Sequence, residues 1–358
     1  MYIRFGRPTQ TRLFFTINPS RLEPYSRQPE FSLPPLVSFF LRRLITALPV
    51  LIVVLAGSFL LLEAASGDAV DSYVARSGSM DAEQIAQLRQ EWGLDQGPLY
   101  RFKAYASALA RGDLGWSTAF ERPVASVILE RLPITLLLMG IATGLAFFLG
   151  SLLGVIAGAN PGSFRDRFLS TSSLALYAVP SFWLGLVLIV IFAVDLRWLP
   201  IGGIESVASG KTGLARMNDI GAHLILPVAS LAMVYLALYL RLMRDRMSEI
   251  WHDPFVKALE ARGLSRGRIV WRHVARNAVL PVVTMLGLQA AAMLGGSVVV
   301  ESVFAIPGFG RLAAEAVARR DTPLLLGVIL CSAVTVIIVN LLVDLAYGKL
   351  DPRVRVGR

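Results

Sequence analysis

Thiol and imidazole chemistry is nearly missing from this chain. Its single cysteine, Cys331, sits inside an apolar run, and its three histidines, His223, His252 and His273, stand far apart. One cysteine allows no disulfide framework and no cysteine metal site, and the histidine spacing matches no metal-ligand pattern. Charge is scarce too. Of 358 residues, 17% are charged and 55% hydrophobic, with a mean hydropathy of +0.60. Soluble domains are about 25% charged and about 45–50% apolar, so this is the balance of a polytopic membrane protein. The net charge of +10 does not signal nucleic acid, because the basic residues flank apolar runs instead of gathering on one polar domain.

A nucleotide site is missing as well. "SGKTG" (209–213) contains Gly-Lys-Thr, but the phosphate-binding loop pattern needs glycine at 205, where Glu205 stands. "GFGRLA" (308–313) mimics a dinucleotide fingerprint without the strand–turn–helix context. Ionisable residues deep in the apolar runs are almost absent. An intramembrane enzyme needs paired catalytic groups there, and a carrier driven by ion gradients needs charged relays. The enzyme class is left without support, while a stand-alone secondary transporter or a membrane scaffold stays open as the alternative to the reading below.

Long uncharged runs are what the chain has in abundance. Stretches free of Asp, Glu, Lys and Arg cover 44–62, 132–164, 168–194, 220–240, 277–300 and 322–343. A helical crossing takes about 20 apolar residues. Each run therefore predicts one span, and the chain reads as an all-α polytopic bundle of six transmembrane helices. The first run exceeds the apolar core of a signal peptide and no small-residue cleavage site follows, so it reads as a retained anchor. With the N-terminus inside, segments 1–43, 159–167, 241–278 and 349–358 hold 22 Lys and Arg, against 13 in the outer segments 64–133, 196–221 and 301–323. That bias predicts both termini in the cytoplasm. The first 38 residues, with six prolines and scattered arginines, have no sustained period and read as a disordered extension.

The stretch "KALEARGLSRGRIVWRHVARNAVLP" (257–281) carries six Lys and Arg between two apolar runs. Asp253-Pro254 suits a helix start, with an N-cap acceptor and proline at the first helical position. Phe255, Val256 and Leu259 then share one face, while Lys257 and Glu260 point elsewhere. Arg262 suits the negative end of the helix dipole, and Gly263 can take the left-handed cap. Ser265 can cap a second helix carrying Ile269, Val270 and Val274. Such a corner either lies on anionic lipid or fits a partner's groove. Charge alone favours the lipid; the capping and the sharp turn speak against it and for the groove, because a lipid-bound helix needs only a continuous amphipathic face.

Gly150, Gly154 and Gly158 recur every fourth residue and make one helix face flat enough for close packing. Gly295-Gly296 in the fifth run is a candidate for close contact or for motion, and Pro180 and Pro227 are candidate kinks. Arg241 and Arg244 read as snorkelling anchors, and Glu301 and Asp344 as charges tolerated near span ends.

"FVKALEARGLSRGRIVWRHVARNAVLPVV" (255–283) resembles the cytoplasmic coupling loop of ABC-importer permeases, above all the family serving dipeptides, oligopeptides and nickel. "GLDQGPLYRFKAYASALARGDLGWS" (93–117), "RPVASVILERLPITLLL" (122–138), "ESVFAIPGFGRLAAEAVARRD" (301–321) and "NLLVDLAYGKLDPRVR" (340–355) extend the resemblance over roughly 38–356. Leu259 and Glu260 depart from it, standing where the family has a small and a basic residue.

The resemblance implies a transmembrane permease subunit with no cofactor of its own. ATP and Mg would reside on two separate ATPase subunits, a second homologous permease would complete the path, and an extracytoplasmic solute-binding protein would deliver cargo. Phe255, Val256, Leu259, Glu260, Ala261, Arg262, Gly263, Leu264 and Ser265 are then the ATPase-coupling residues. The expected plan is an extension over 1–38, a first span over 39–63 and a mostly helical periplasmic segment over 64–131. A core permease domain follows over 132–348, with the coupling loop at 245–276, and then a cytoplasmic tail over 349–358. The periplasmic segment, with Trp92 and Trp116, is large enough to dock a binding protein.

Overall fold

The structure, a computed structural model, describes residues 35–64, 70–71, 73–74, 80–91, 93, 95–207 and 210–350. The expected extension lies almost wholly outside these residues, as do Trp92 and the tail beyond 350. The chain divides into two units, Met1–Ile45 and Thr46–Arg358, and the packing described below belongs to the second.

Helix α1 (Pro35–Ala64) carries the first apolar run. Helices α2 (Ala82–Glu91) and α3 (Pro98–Ala110) follow, neither with a fully buried residue. A short antiparallel ribbon comes next, β1 (Trp116–Ser117) with β2 (Arg122–Pro123), pairing Trp116 with Pro123 and Ser117 with Arg122. Then come α4 (Val124–Gly158), α5 (Phe164–Ala178) and α6 (Ser181–Leu188), the last running on as a π-helical segment over Ile189–Asp195. Helices α7 (Gly213–Ile250) and α8 (Pro254–Ala261) precede α9 (Arg266–Arg268), which passes through π-helical Ile269–Val274 into α10 (Ala275–Val303). Helices α11 (Phe309–Ala318) and α12 (Thr322–Leu350) end the described chain.

Among the described residues, four helical stretches are long and apolar enough to cross a membrane: Ile45–Ala64, Val124–Gly158, Gly213–Ile250 and Thr322–Leu345. Two bent pairs, Phe164–Ala178 with Ser181–Asp195 (98°) and Arg266–Gln289 with Ala291–Val303 (53°), make six if each counts as one span. The sharper bend has a local cause. Pro180 brings no N–H and disfavours helical geometry at the residue before it, and Val179 is extended with ψ 128°. Pro227 instead stays within the continuous α7. The spans also outrun their uncharged stretches. Helix α4 starts at Val124 and includes Glu130 and Arg131, because charge outside the hydrocarbon layer does not stop a helix.

Helices α4 and α7 form the most extensive contact in the bundle. A Cβ at Gly150 would lie 2.7 Å from the Leu236 carbonyl oxygen, one at Gly154 2.6 Å from that of Leu240, and one at Gly158 2.5 Å from the Met247 Cβ. Only glycine permits this approach. At Gly296 the nearest atom is the Tyr235 hydroxyl, 3.5 Å away, and a Cβ at Gly295 would meet nothing within 4 Å. Fully buried Tyr239 packs edge-on to Phe147 at 5.7 Å.

The end of the bundle that holds α11 is tied by buried carboxylates. Glu301 accepts hydrogen bonds from the Thr135 hydroxyl (2.6 Å) and the Arg311 amide (2.8 Å), while the Phe309 amide donates to the Thr135 oxygen (2.7 Å). The N-terminus of α11 thus points at a carboxylate, an acceptor for its free amides. A Cβ at Gly308 would overlap that carboxylate. Asp321, also fully buried, accepts from the Ser117 hydroxyl (2.6 Å), the Ala119 amide (2.9 Å) and the Leu324 amide (3.1 Å). It joins the ribbon to the start of α12. Glu301 is therefore enclosed and bonded, not a charge reaching toward water.

Candidate functional site

The charged corner lies at the opposite end of α4. Helix α7 finishes at Ile250, and the chain turns through Trp251 and His252 to Asp253, the N-cap of α8, with Pro254 at the first helical position. The Asp253 side chain makes no capping hydrogen bond. Arg262 follows α8, and Gly263 takes φ +75°. The Gly263 amide bonds the Glu260 carbonyl (2.9 Å) and the Leu264 amide the Leu259 carbonyl (3.3 Å). This pair of bonds is the Schellman cap, in which the left-handed residue reverses the chain and satisfies the last helical carbonyls. Leu259 and Leu264, the two apolar partners of that motif, are both half-buried against the core. Nothing stands within 4 Å of a Cβ at Gly263, so backbone conformation alone calls for glycine here.

The expected apolar face divides. Val256 is buried with Ile269, Val270 and Val274, and anchors α8 to the foot of α10. Leu259 is half-buried, whereas Phe255 is exposed at 38%, and Glu260, Ala261, Arg262 and Ser265 face outward. The open surface of the corner is thus Phe255 with polar and small neighbours. Lys257 and Ala258, which sequence reasoning did not single out as site residues, share that surface.

Long-range bonds tie the corner to the spans. Before α8, the Trp251 indole N–H donates to the Gly158 carbonyl at 2.8 Å. After α8, Arg266 donates to the Ala159 carbonyl at 3.2 Å, and its guanidinium sits 5.4 Å over the Trp251 ring. These carbonyls belong to the end of α4, where a helix has acceptors without partners of its own. Arg244, one element earlier, grips Asp166 through Nε (2.8 Å) and Nη2 (2.9 Å). Asp166 also accepts from the Gly162 amide and the Ser170 hydroxyl. Arg244 is thus half of a two-pronged ion pair, and the anchor reading does not describe it. The pairs 78 and 93 residues apart leave no local pattern, which is why the sequence hides them.

The two nucleotide-like motifs are placed otherwise. Lys211 pairs with Asp219 at 2.5 Å, and "GFGRLA" opens α11 against Glu301. Among the described residues, no group of three or more His, Cys, Asp and Glu could hold a metal.

Comparison with known proteins gives a consistent result. A probable peptide ABC transporter permease of Sinorhizobium fredii (strain NBRC 101917 / NGR234) is 35% identical over 317 residues, covering 88% of this chain and 99% of the relative. An oligopeptide transport system permease of Bacillus subtilis (strain 168) is 33% identical, over 89% and 99%. A solved inward-facing structure of the MetNI methionine ABC transporter superposes with a TM-score of 0.51 at 15% identity, over 63% of this chain and 96% of that one, and shows the fold alone. Residues 150–356 match the model of the binding-protein-dependent transport system inner membrane component. The chain belongs to that family of inner-membrane permeases.

Proposed function

We propose that this chain is one of two permease subunits in an ABC importer that carries small peptides or a related solute. The peptide assignment rests on the names of the relatives, which span nearly the whole chain. ATP and Mg belong on two separate ATPase subunits, and a solute-binding protein delivers cargo from outside. The bias of Lys and Arg supports cytoplasmic termini, which puts the α8 corner on the ATPase side. One observation carries the reading. The corner is a rigid, capped turn whose outward side, Phe255 with Glu260, Ala261 and Arg262, is exposed while its inward side is built into the bundle. An apolar cleft of about 280 Å³ between α5, α7 and α10, lined by Tyr177, Leu238, Met285, Arg241 and Asp245 among others, is the stretch of path wall this reading assigns to the chain.

The test is purification in mild detergent on a C-terminal tag, with mass spectrometry of the chains that co-purify. A second six-span permease and an ATPase with nucleotide-binding motifs are expected, followed by ATP-driven uptake of a labelled dipeptide in proteoliposomes. A chain that purifies alone would move the reading to the stand-alone carrier or scaffold.

A further inference from the structure

We infer that the α4–α5 turn, residues 159–163, is the receiver through which motion of the α8 corner enters the bundle, with Trp251, Arg266, Arg244 and Asp166 as its positioning residues. The inference rests on the importer reading above. Helix α8 hangs between Trp251 and Arg266, and both reach the last carbonyls of α4. The corner therefore stands on α4 with both feet, although in sequence it is joined only to α7 and α10. The Asp166–Arg244 pair adds the start of α5 to the same block.

Packing alone would not do this. A glycine face such as Gly150, Gly154 and Gly158 permits sliding along a neighbour, because dispersion contacts are non-directional. Hydrogen bonds to two consecutive carbonyls fix register, and a guanidinium gripping a carboxylate with two bonds fixes orientation as well. Arg266 stacked on Trp251 makes the two feet one unit. Force on the exposed side of α8 then reaches α4 through the two feet and α5 through the Asp166–Arg244 pair on α7, besides passing along the chain to α7 and α10.

The experiment uses the assembled complex in proteoliposomes and reads ATP hydrolysed per peptide imported. Trp251→Phe removes the indole N–H and keeps the ring under Arg266; Arg244→Lys keeps the charge and loses the two-pronged grip. Both variants should assemble and hydrolyse ATP at near the native rate, yet import about fivefold less peptide per ATP, the scale of a single relay residue. In parallel, spin labels at His252→Cys, in the turn before α8, and Arg167→Cys, in a Cys331→Ser background, should keep one separation with and without ATP in the otherwise native complex. In Trp251→Phe that separation should change on ATP binding. An unchanged ratio in an assembled variant, or a native separation that shifts with ATP, overturns the receiver while leaving the importer reading in place. Absence of any ATPase partner would overturn the importer reading itself.

Discussion

At one end of α4, Thr135 offers its hydroxyl to a fully buried carboxylate, Glu301; at the other, Gly158 and Ala159 offer carbonyls to an indole and a guanidinium that water still reaches. The first arrangement is closed. Backbone amides and hydroxyls from α4, α11 and the ribbon converge on Glu301 and Asp321, and the turns on either side of α11 are thereby tied into the fold. The second is open. Its ion pair and caps brace a corner whose outward side is covered by none of the described residues. The buried carboxylates fix the molecule's own shape, whereas the braced corner leaves Phe255, Glu260 and Arg262 exposed, the surface that the importer reading assigns to an ATPase.

The largest effect should come from breaking the closed end. Glu301→Leu leaves the Arg311 amide without its acceptor and the Thr135 hydroxyl without its carboxylate, a loss of about 3 kcal/mol. Thermal unfolding in detergent should show a clearly lowered Tm, with a smaller drop for Glu301→Gln, which keeps an acceptor. Next is the shaft between the two ends. Gly154→Val must displace both Met243 and the Leu240 carbonyl, and overpacking of this kind costs about 2 kcal/mol. Gly295→Ala, which meets no neighbour, should leave the melting of the isolated chain unchanged.

The open end should respond in function more than in stability. Gly263→Val strains the left-handed cap by about 1–2 kcal/mol without a clash. Insertion should survive and uptake should fall; normal uptake with this variant would mean that the corner does not couple. Smallest of all, Lys211→Ala removes a part-exposed pair with Asp219, which solvent screens. Neither melting nor uptake should move.

How much of this was legible depended on distance along the chain. The corner's turn follows from Asp253-Pro254 and Gly263, a few neighbouring residues whose backbone preferences suffice. Six apolar runs were countable because a bilayer sets a length. The run over 168–194 concealed a 98° break, since hydropathy carries no direction and Pro180 was only a candidate kink. Arg244 and Glu301 read as span-end charges, because their partners Asp166 and Thr135 lie 78 and 166 residues away. The split of Phe255 from Val256 was hidden too. Adjacent helical residues point about 100° apart, so only one of the two can face the core squarely, and the wall that selects Val256 is built from Ile269, Val270 and Val274, outside α8.

The most direct test of the central claim is site-specific photocrosslinking in native membranes, with a benzoylphenylalanine placed at Phe255, at Glu260 and at buried Val256. The account predicts ATP-dependent crosslinks from 255 and 260 to a polypeptide with nucleotide-binding motifs, and none from 256. Crosslinks from 255 and 260 to lipid alone would contradict it.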